Sequence, residues 1–344
     1  MVAFAFLREM NLFTQVPFQD AKKLIRYDSE LIFIGSCFSE EIGQWMSSLK
    51  FRSTINPFGI SYNPTGIARL ISSCLEETSP TPNLVQERDG SFFHPDYHSS
   101  FNTSSKKQFI AKVKVTGQML ANDLKSADFL FLTFGTAIAF KWKQTGQIAN
   151  NCHRMASTEF EKRMLSVDEM TQQMKATLSQ IFQINPHIRV ILTVSPIRHL
   201  RHGAVQNQRS KARLIQLCEN LENFFETCSY LPIYELVMDE LRDYRFYRQD
   251  DLIHLNEGGL NVIKDRFATG MIDSDCFTTI RKIERWQKSM SHRIQKSDSV
   301  ESQKFQENLL ALTAELNEQL PGRFAEELSR LKSSQKDRQS QKKS

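Results

Sequence analysis

Leu31-Ile32-Phe33-Ile34-Gly35-Ser36-Cys37-Phe38-Ser39-Glu40 joins an apolar run to a helical pattern through one glycine. The run is too short for a buried helix and reads as a strand covered on both faces. From Glu40 to Leu49 the apolar positions take helical spacing. A strand that turns at once into a helix leaves backbone amides unpaired at the helix start, where the dipole favours negative charge. A thiolate, an alkoxide or a tetrahedral oxyanion suits that corner, so Cys37 and Ser36 are both nucleophile candidates.

Outward from this corner, strand-like and helical patterns alternate. Further strands are expected at Phe51–Ile55, Phe129–Phe134, Ile188–Val194 and Leu231–Tyr234. Helices are expected at Pro64–Leu75, Val167–Ile184, Gln208–Phe225 and Asn256–Phe267. The pattern predicts a three-layer α/β/α fold around a mainly parallel, five-stranded, flavodoxin-like sheet. In such sheets ligands bind beyond the carboxyl ends of the strands, near the switch in strand order.

A second chemical signal is Asp251-Leu252-Ile253-His254. A carboxylate three residues before an imidazole can orient the ring and stabilise its protonated form. His254 is therefore the candidate base and Asp251 its partner. With an imidazole in reach, a cysteine at a helix start is expected to have a lowered pKa.

Four segments carry a family resemblance: Ile34-Gly35-Ser36-Cys37-Phe38-Ser39-Glu40, Asn56-Pro57-Phe58-Gly59-Ile60-Ser61-Tyr62-Asn63-Pro64, Thr193-Val194-Ser195-Pro196-Ile197-Arg198-His199, and Asp239-Glu240-Leu241-Arg242-Asp243-Tyr244-Arg245-Phe246-Tyr247. In this order, from about Phe13 to Phe267, the chain resembles the GSCFA domain family, related to SGNH or GDSL-type esterases and acyl hydrolases. The resemblance implies a nucleophile two residues after the glycine that ends the first strand, which is Cys37, with Ser36 as the alternative. It also implies oxyanion donors. The amides of Cys37 and Gly59 are candidates, Gly59 because it lies in the loop after the second strand. The relatives' asparagine after the third strand is absent from Gly135-Thr136-Ala137-Ile138, leaving Asn151 or Asn63 to replace it. Ser195 and His199 follow the fourth strand and are expected to line a pocket for a polar substrate.

The implied activity is an acyl-ester hydrolase or acyltransferase of SGNH type. Its expected substrate is an O-acylated carbohydrate or another small hydroxylated molecule, with no cofactor and no metal. The alternative is a non-catalytic glycan- or protein-binding module on the same scaffold.

Charge and composition narrow the partners. Residues 281–344 hold 14 Lys and Arg against 9 Asp and Glu, which accounts for the whole formal net charge of +5. A neutral body argues against nucleic acid as a partner. The six cysteines show no zinc-site spacing, which fits a reducing compartment. The apolar start, Met1–Leu7, is short for a signal peptide, and no segment is long enough to span a membrane. The expected location is the cytoplasm.

The expected division is an α/β domain over 1–275, with a turn-rich insertion at 79–112 that could supply a lid or substrate wall. A helical extension over 281–332 and a disordered tail over 333–344 follow. The extension's apolar residues, among them Leu309, Leu316, Leu320 and Phe324, recur at helical spacing. It should pack on the body or on a partner, with self-association through it as one outcome.

Overall fold

Alternating side chains along the central strands separate two hydrophobic layers. In the computed structural model, which describes residues 14–18, 23–78, 82–291 and 300–341, strand β1 (Glu30–Gly35) leads into helix α1 (Cys37–Ser48) and strand β2 (Arg52–Ile55) into α2 (Pro64–Leu75). A hairpin of β3 (Gln86–Arg88) and β4 (Ser91–Phe93) precedes α3 (Lys106–Ser126) and β5 (Phe129–Phe134). Then come β6 (Ile138–Trp142), β7 (Ile148–Ala149), β8 (Phe160–Met164), α4 (Val167–Ile184), β9 (Arg189–Val194), α5 (Ala204–Phe224) and β10 (Cys228–Tyr230). Helices α6 (Glu257–Met271), α7 (Phe277–Ser291), α8 (Val300–Gln319) and α9 (Ala325–Gln341) complete the order.

The central sheet runs β10-β9-β5-β1-β2 with every pairing parallel. Renumbered among themselves these strands follow 2-1-3-4-5, the flavodoxin-like order, with the switch point between β1 and β5. Ile32, Ile34, Leu130, Leu132, Val190 and Leu192 join a core that includes Ile67, Phe109, Leu178 and Leu214, from α2 to α5. Leu31, Phe33, Phe129, Phe131 and Ile191 join the opposite core with Ile42, Ile263, Ile283 and Leu316, from α1, α6, α7 and α8. Phe33 and Phe131, opposite each other in register, stack at 4.6 Å. Burying one such ring is worth roughly 1.5–3 kcal/mol.

Helix starts follow local capping chemistry. Ser36 accepts the N–H of Phe38, Asn63 that of Gly66, Ser166 that of Glu169 and Asn256 that of Gly259. Capping by Ser36 makes α1 begin at Cys37, three residues before the apolar spacing alone indicates.

Four elements depart from the sequence pattern. Strand β10 lies at Cys228–Tyr230, just before the expected Leu231–Tyr234, where the chain instead turns helical at Ile233–Glu235. Residues from Lys106 onward in the expected insertion belong to the 21-residue helix α3, whose apolar face is sparse. Strands β7, β6 and β8 form a separate antiparallel sheet beside the main one. Helix α7 precedes the two helices expected in the extension.

The extension packs on the body. Trp286 donates its indole N–H to Thr313 at 2.9 Å and meets the Phe324 ring edge-on at 5.1 Å. Lys50 pairs with Glu327 at 2.6 Å and its ammonium lies 4.9 Å from the Phe324 ring centre. The backbone stays helical to Gln341, beyond Ser333. The segment Met1–Leu7, Pro80 and the last three residues lie outside the described residues. Among the described residues, no helix is long and apolar enough to cross a membrane.

Candidate active site

Gly35 makes the corner possible. Its φ is +148°, and a Cβ there would fall 2.2 Å from the carbonyl oxygen of Thr133 on β5. Only glycine lets β1 approach its neighbour this closely. The turn is held from three sides: Gly35 N–H donates to Asn56 Oδ1, Ser36 N–H to Thr133 O, and Ser61 N–H to Gly35 O. Cys37 thus opens α1 at the carboxyl edge of the sheet, beside the switch point.

The two nucleophile candidates differ in environment. Ser36 is 1 % exposed and its Oγ accepts the N–H of Phe38 at 3.3 Å. Cys37 is half-buried. Burial pushes the Cys37 thiol up from its ordinary range, while the amides of Phe38 and Cys37 and the Lys211 amine pull it back. The expected lowering is therefore overturned: desolvation of a thiolate at this corner outweighs the helix start.

His254 is held as the sequence suggests. Its Nδ1 lies 2.6 Å from Asp251 Oδ2, while Asp251 Oδ1 accepts the N–H groups of Ile253 and His254 at 2.8 and 2.9 Å. Those amides, ahead of the imidazole, hold the Asp251 carboxyl down at about 2. With Nδ1–H donated to the carboxylate, Nε2 carries the lone pair. The loop is fixed by Arg198, which donates to Leu252 O at 2.7 Å and lies over Tyr247, and by Arg248 N–H, which donates to His254 O at 2.8 Å.

Tyr62, in the loop after β2, and His199, in the loop after β9, meet edge-on at 5.4 Å. The Tyr62 phenol is pushed up by burial and then by Cys37, and His199 feels His254. Among the described residues no hydrogen bond joins Cys37 to His254. Burial, followed by Lys211, lowers His199 to about 4, so its ring is neutral near pH 7. Its N–H on the main chain goes to Asn207 at 2.9 Å, and its buried Nε2 has no partner among the described residues.

The other expected site residues also take part in local structure. Gly59 N–H donates to Asn56 O at 2.7 Å, which removes it as an oxyanion donor. Its glycine identity has another cause: at φ +77° a Cβ would sit 2.4 Å from His98 Cβ, where the insertion packs. Asn63 Oδ1 caps α2 at 2.7 Å, and Asn151 Oδ1 accepts the N–H of His153 at 2.8 Å. Ser195 is fully buried, its Oγ turned to Ile197 N–H at 3.4 Å. The amides of Gly135 and Thr136 both donate to Tyr62 O.

Two residues missed in the sequence stand out here. Asn56 is buried beside Gly35, and its Nδ2 has no partner among the described residues. Lys211, 1 % exposed, donates to Gly135 O at 2.7 Å and to Ser195 O at 2.6 Å. Burial draws this amine down to about 7, against the pull of Cys37. Its signal was present in spacing: Lys211, Leu214, Cys218 and Leu221 share one helical stripe.

The polar groove lined by Thr65, Arg69, Gln147, Arg163 and Gln173 lies apart from this corner. Among the described residues no group of three or more His, Cys, Asp or Glu side chains is placed to hold a metal ion. A model of the GSCFA family matches residues 30–267, from the start of β1 into the last turns of α6. The chain belongs to the GSCFA family. The GSCFA match therefore covers both Cys37 and His254 and ends before α7 to α9. No curated protein matches the chain significantly.

Proposed function

We propose that this GSCFA protein cleaves or transfers an acyl group held in ester linkage on a carbohydrate or similar small hydroxylated molecule. The observation that carries this reading is the 2.6 Å Asp251–His254 pair in a loop that Arg198 ties to the segment after β9, at the edge of the sheet where the Cys37 corner follows β1. Cys37 is the nucleophile in this reading, because Ser36 is committed to capping α1. His254 removes the thiol proton in the complex with substrate, Asp251 orients the ring, and the proton passes to the leaving hydroxyl. The amide of Cys37 is a donor to the developing oxyanion, with Asn56 Nδ2 as the second. The unpartnered His199 Nε2 serves as a contact for a substrate hydroxyl.

A second reading, a glycan- or protein-binding module without catalysis, draws support from the raised Cys37 thiol and from the committed amides of Gly59, Gly135 and Thr136. Short-chain aryl esters and acetylated sugars separate the two. The enzymatic reading expects turnover that Cys37→Ala and His254→Ala abolish and Ser36→Ala largely keeps. Turnover absent from the intact protein, or equal in all three variants, leaves the binding module.

A further inference from the structure

The sheet register places three main-chain groups at one level. Gly35 pairs with Thr133, and Thr133 pairs with Thr193. Two residues beyond each, just past the carboxyl edge, come Cys37, Gly135 and Ser195. Lys211 Nζ bonds the carbonyls of the latter two. Its helix ties down the same loops with neighbouring side chains: Ser210 Oγ accepts the N–H of Ala137 at 2.7 Å, and Asn207 Oδ1 that of His199. One face of α5 therefore forms the floor under the loops that follow β5 and β9.

A lysine has no structural need to be here. Two carbonyls ask for two donors, which a neutral side chain can supply without the cost of burying an ammonium. Conversely, a neutral amine with both N–H groups given to carbonyls keeps a lone pair able to take a proton. Around Cys37 and Lys211 the titratable groups are Glu40 on α1, Tyr62 after β2, His199 after β9 and Tyr234 after β10, whose ring centre is 5.9 Å from Nζ. Glu40 disfavours a thiolate, and His199 is neutral, so before substrate binds and His254 acts, Lys211 is the group packed under the corner whose positive charge favours the thiolate.

We propose that Lys211 is a positioning residue that governs the charge of Cys37: loss of the thiol proton and gain of a proton by the buried amine are linked, each favouring the other across the floor of the site. Such linkage is reciprocal. It lets a desolvated corner hold a thiolate without a permanent cation beneath the sheet. This inference rests on Cys37 being the reactive residue, and it concerns the thiol's ionisation rather than ester turnover.

The test follows Cys37 alkylation by iodoacetamide against pH, read on the Cys37 peptide by mass spectrometry, in the intact chain and in Lys211→Met. The linkage predicts an alkylation midpoint at higher pH and a rate near neutrality about tenfold lower in the variant, corresponding to about one pKa unit. The reciprocal arm needs no change at Lys211: the Lys211 side-chain amine is titrated by NMR in the intact protein and in Cys37→Ser. Its midpoint should fall when the thiol is gone. An unmoved Lys211 midpoint in Cys37→Ser overturns the proposal even if Lys211→Met does not fold. An unmoved alkylation profile in a folded Lys211→Met overturns it equally. Linkage without ester cleavage refutes only the proposed activity, and ester cleavage without linkage refutes only this inference.

Discussion

Asp251 spends one carboxylate oxygen on the His254 ring at 2.6 Å and the other on the two amides that shape the loop beneath it. A single side chain thus sets the ring's tautomer and the loop's path. Asn at this position keeps an acceptor for the amides but loses the charge. Asp251→Asn is expected to leave thermal stability within a few degrees of the parent while lowering kcat for ester cleavage by about 10²-fold or more. Stopped assays alongside thermal melts measure both, and an unchanged kcat removes Asp251 from the mechanism.

Ser36→Ala tests the division of labour at the corner. Loss of an N-cap costs about 1 kcal/mol, so the denaturation midpoint should drop modestly. Alkylation of Cys37 should persist. A variant of full stability with no activity would instead make Ser36 the nucleophile.

Gly35→Ala has no such middle course. A Cβ 2.2 Å from Thr133 O must push β1 away from β5 at the centre of the sheet. The expected outcome is a chain that fails to give a cooperative unfolding transition, or one destabilised by more than about 4 kcal/mol, at the upper end of single substitutions. Circular dichroism melts settle it.

Acid should weaken the fold through its buried histidines. His199 is lowered to about 4, and burial also lowers His94 and His153. Each is neutral when folded but takes a proton near pH 6.5 once unfolded, so the unfolded chain binds more protons below that value. Stability is then complete above about 6.5 and declines as pH falls toward 4. Urea midpoints measured across this range should show the decline, and His199→Phe should flatten part of it.

Phe324→Ala probes the seam between the extension and the body. The ring is fully buried against Trp286 and under Lys50. Truncating a buried aromatic typically costs 3–5 kcal/mol, so a loss of about 3 kcal/mol is expected in urea unfolding. If α8 and α9 instead melt as a separate unit, the variant will show two transitions with the main one unmoved.

The central architecture was legible because its strands are covered on both faces. Ile32, Leu130 and Leu192 read as apolar whichever way they point, and Gly35 marks the end of β1. The Asp251–His254 pair was legible because its partners are three residues apart. Helix α3 was hidden by its exposed apolar residues, Val115 and Met119, which blur the stripe. Gly59 was misjudged as a donor because a local turn, invisible to motif spacing, had already taken its N–H, while the Oδ1 atoms of Asn63 and Asn151 are engaged by a cap and a turn that the spacing does not show either. Lys211 was hidden by its neighbours Arg209 and Arg213, which make the segment look like a solvated face.

The seam at Trp286 and Phe324 also bears on biosynthesis. When the ribosome has completed the sheet and its first helices, the segment that covers Trp286 and Lys50 is still unmade. Until translation reaches Phe324, the nascent chain carries a bare aromatic surface on a nearly finished body, a state exposed to chaperone capture or aggregation. Final closure of this protein therefore waits until the segment carrying Phe324 has been made and has emerged.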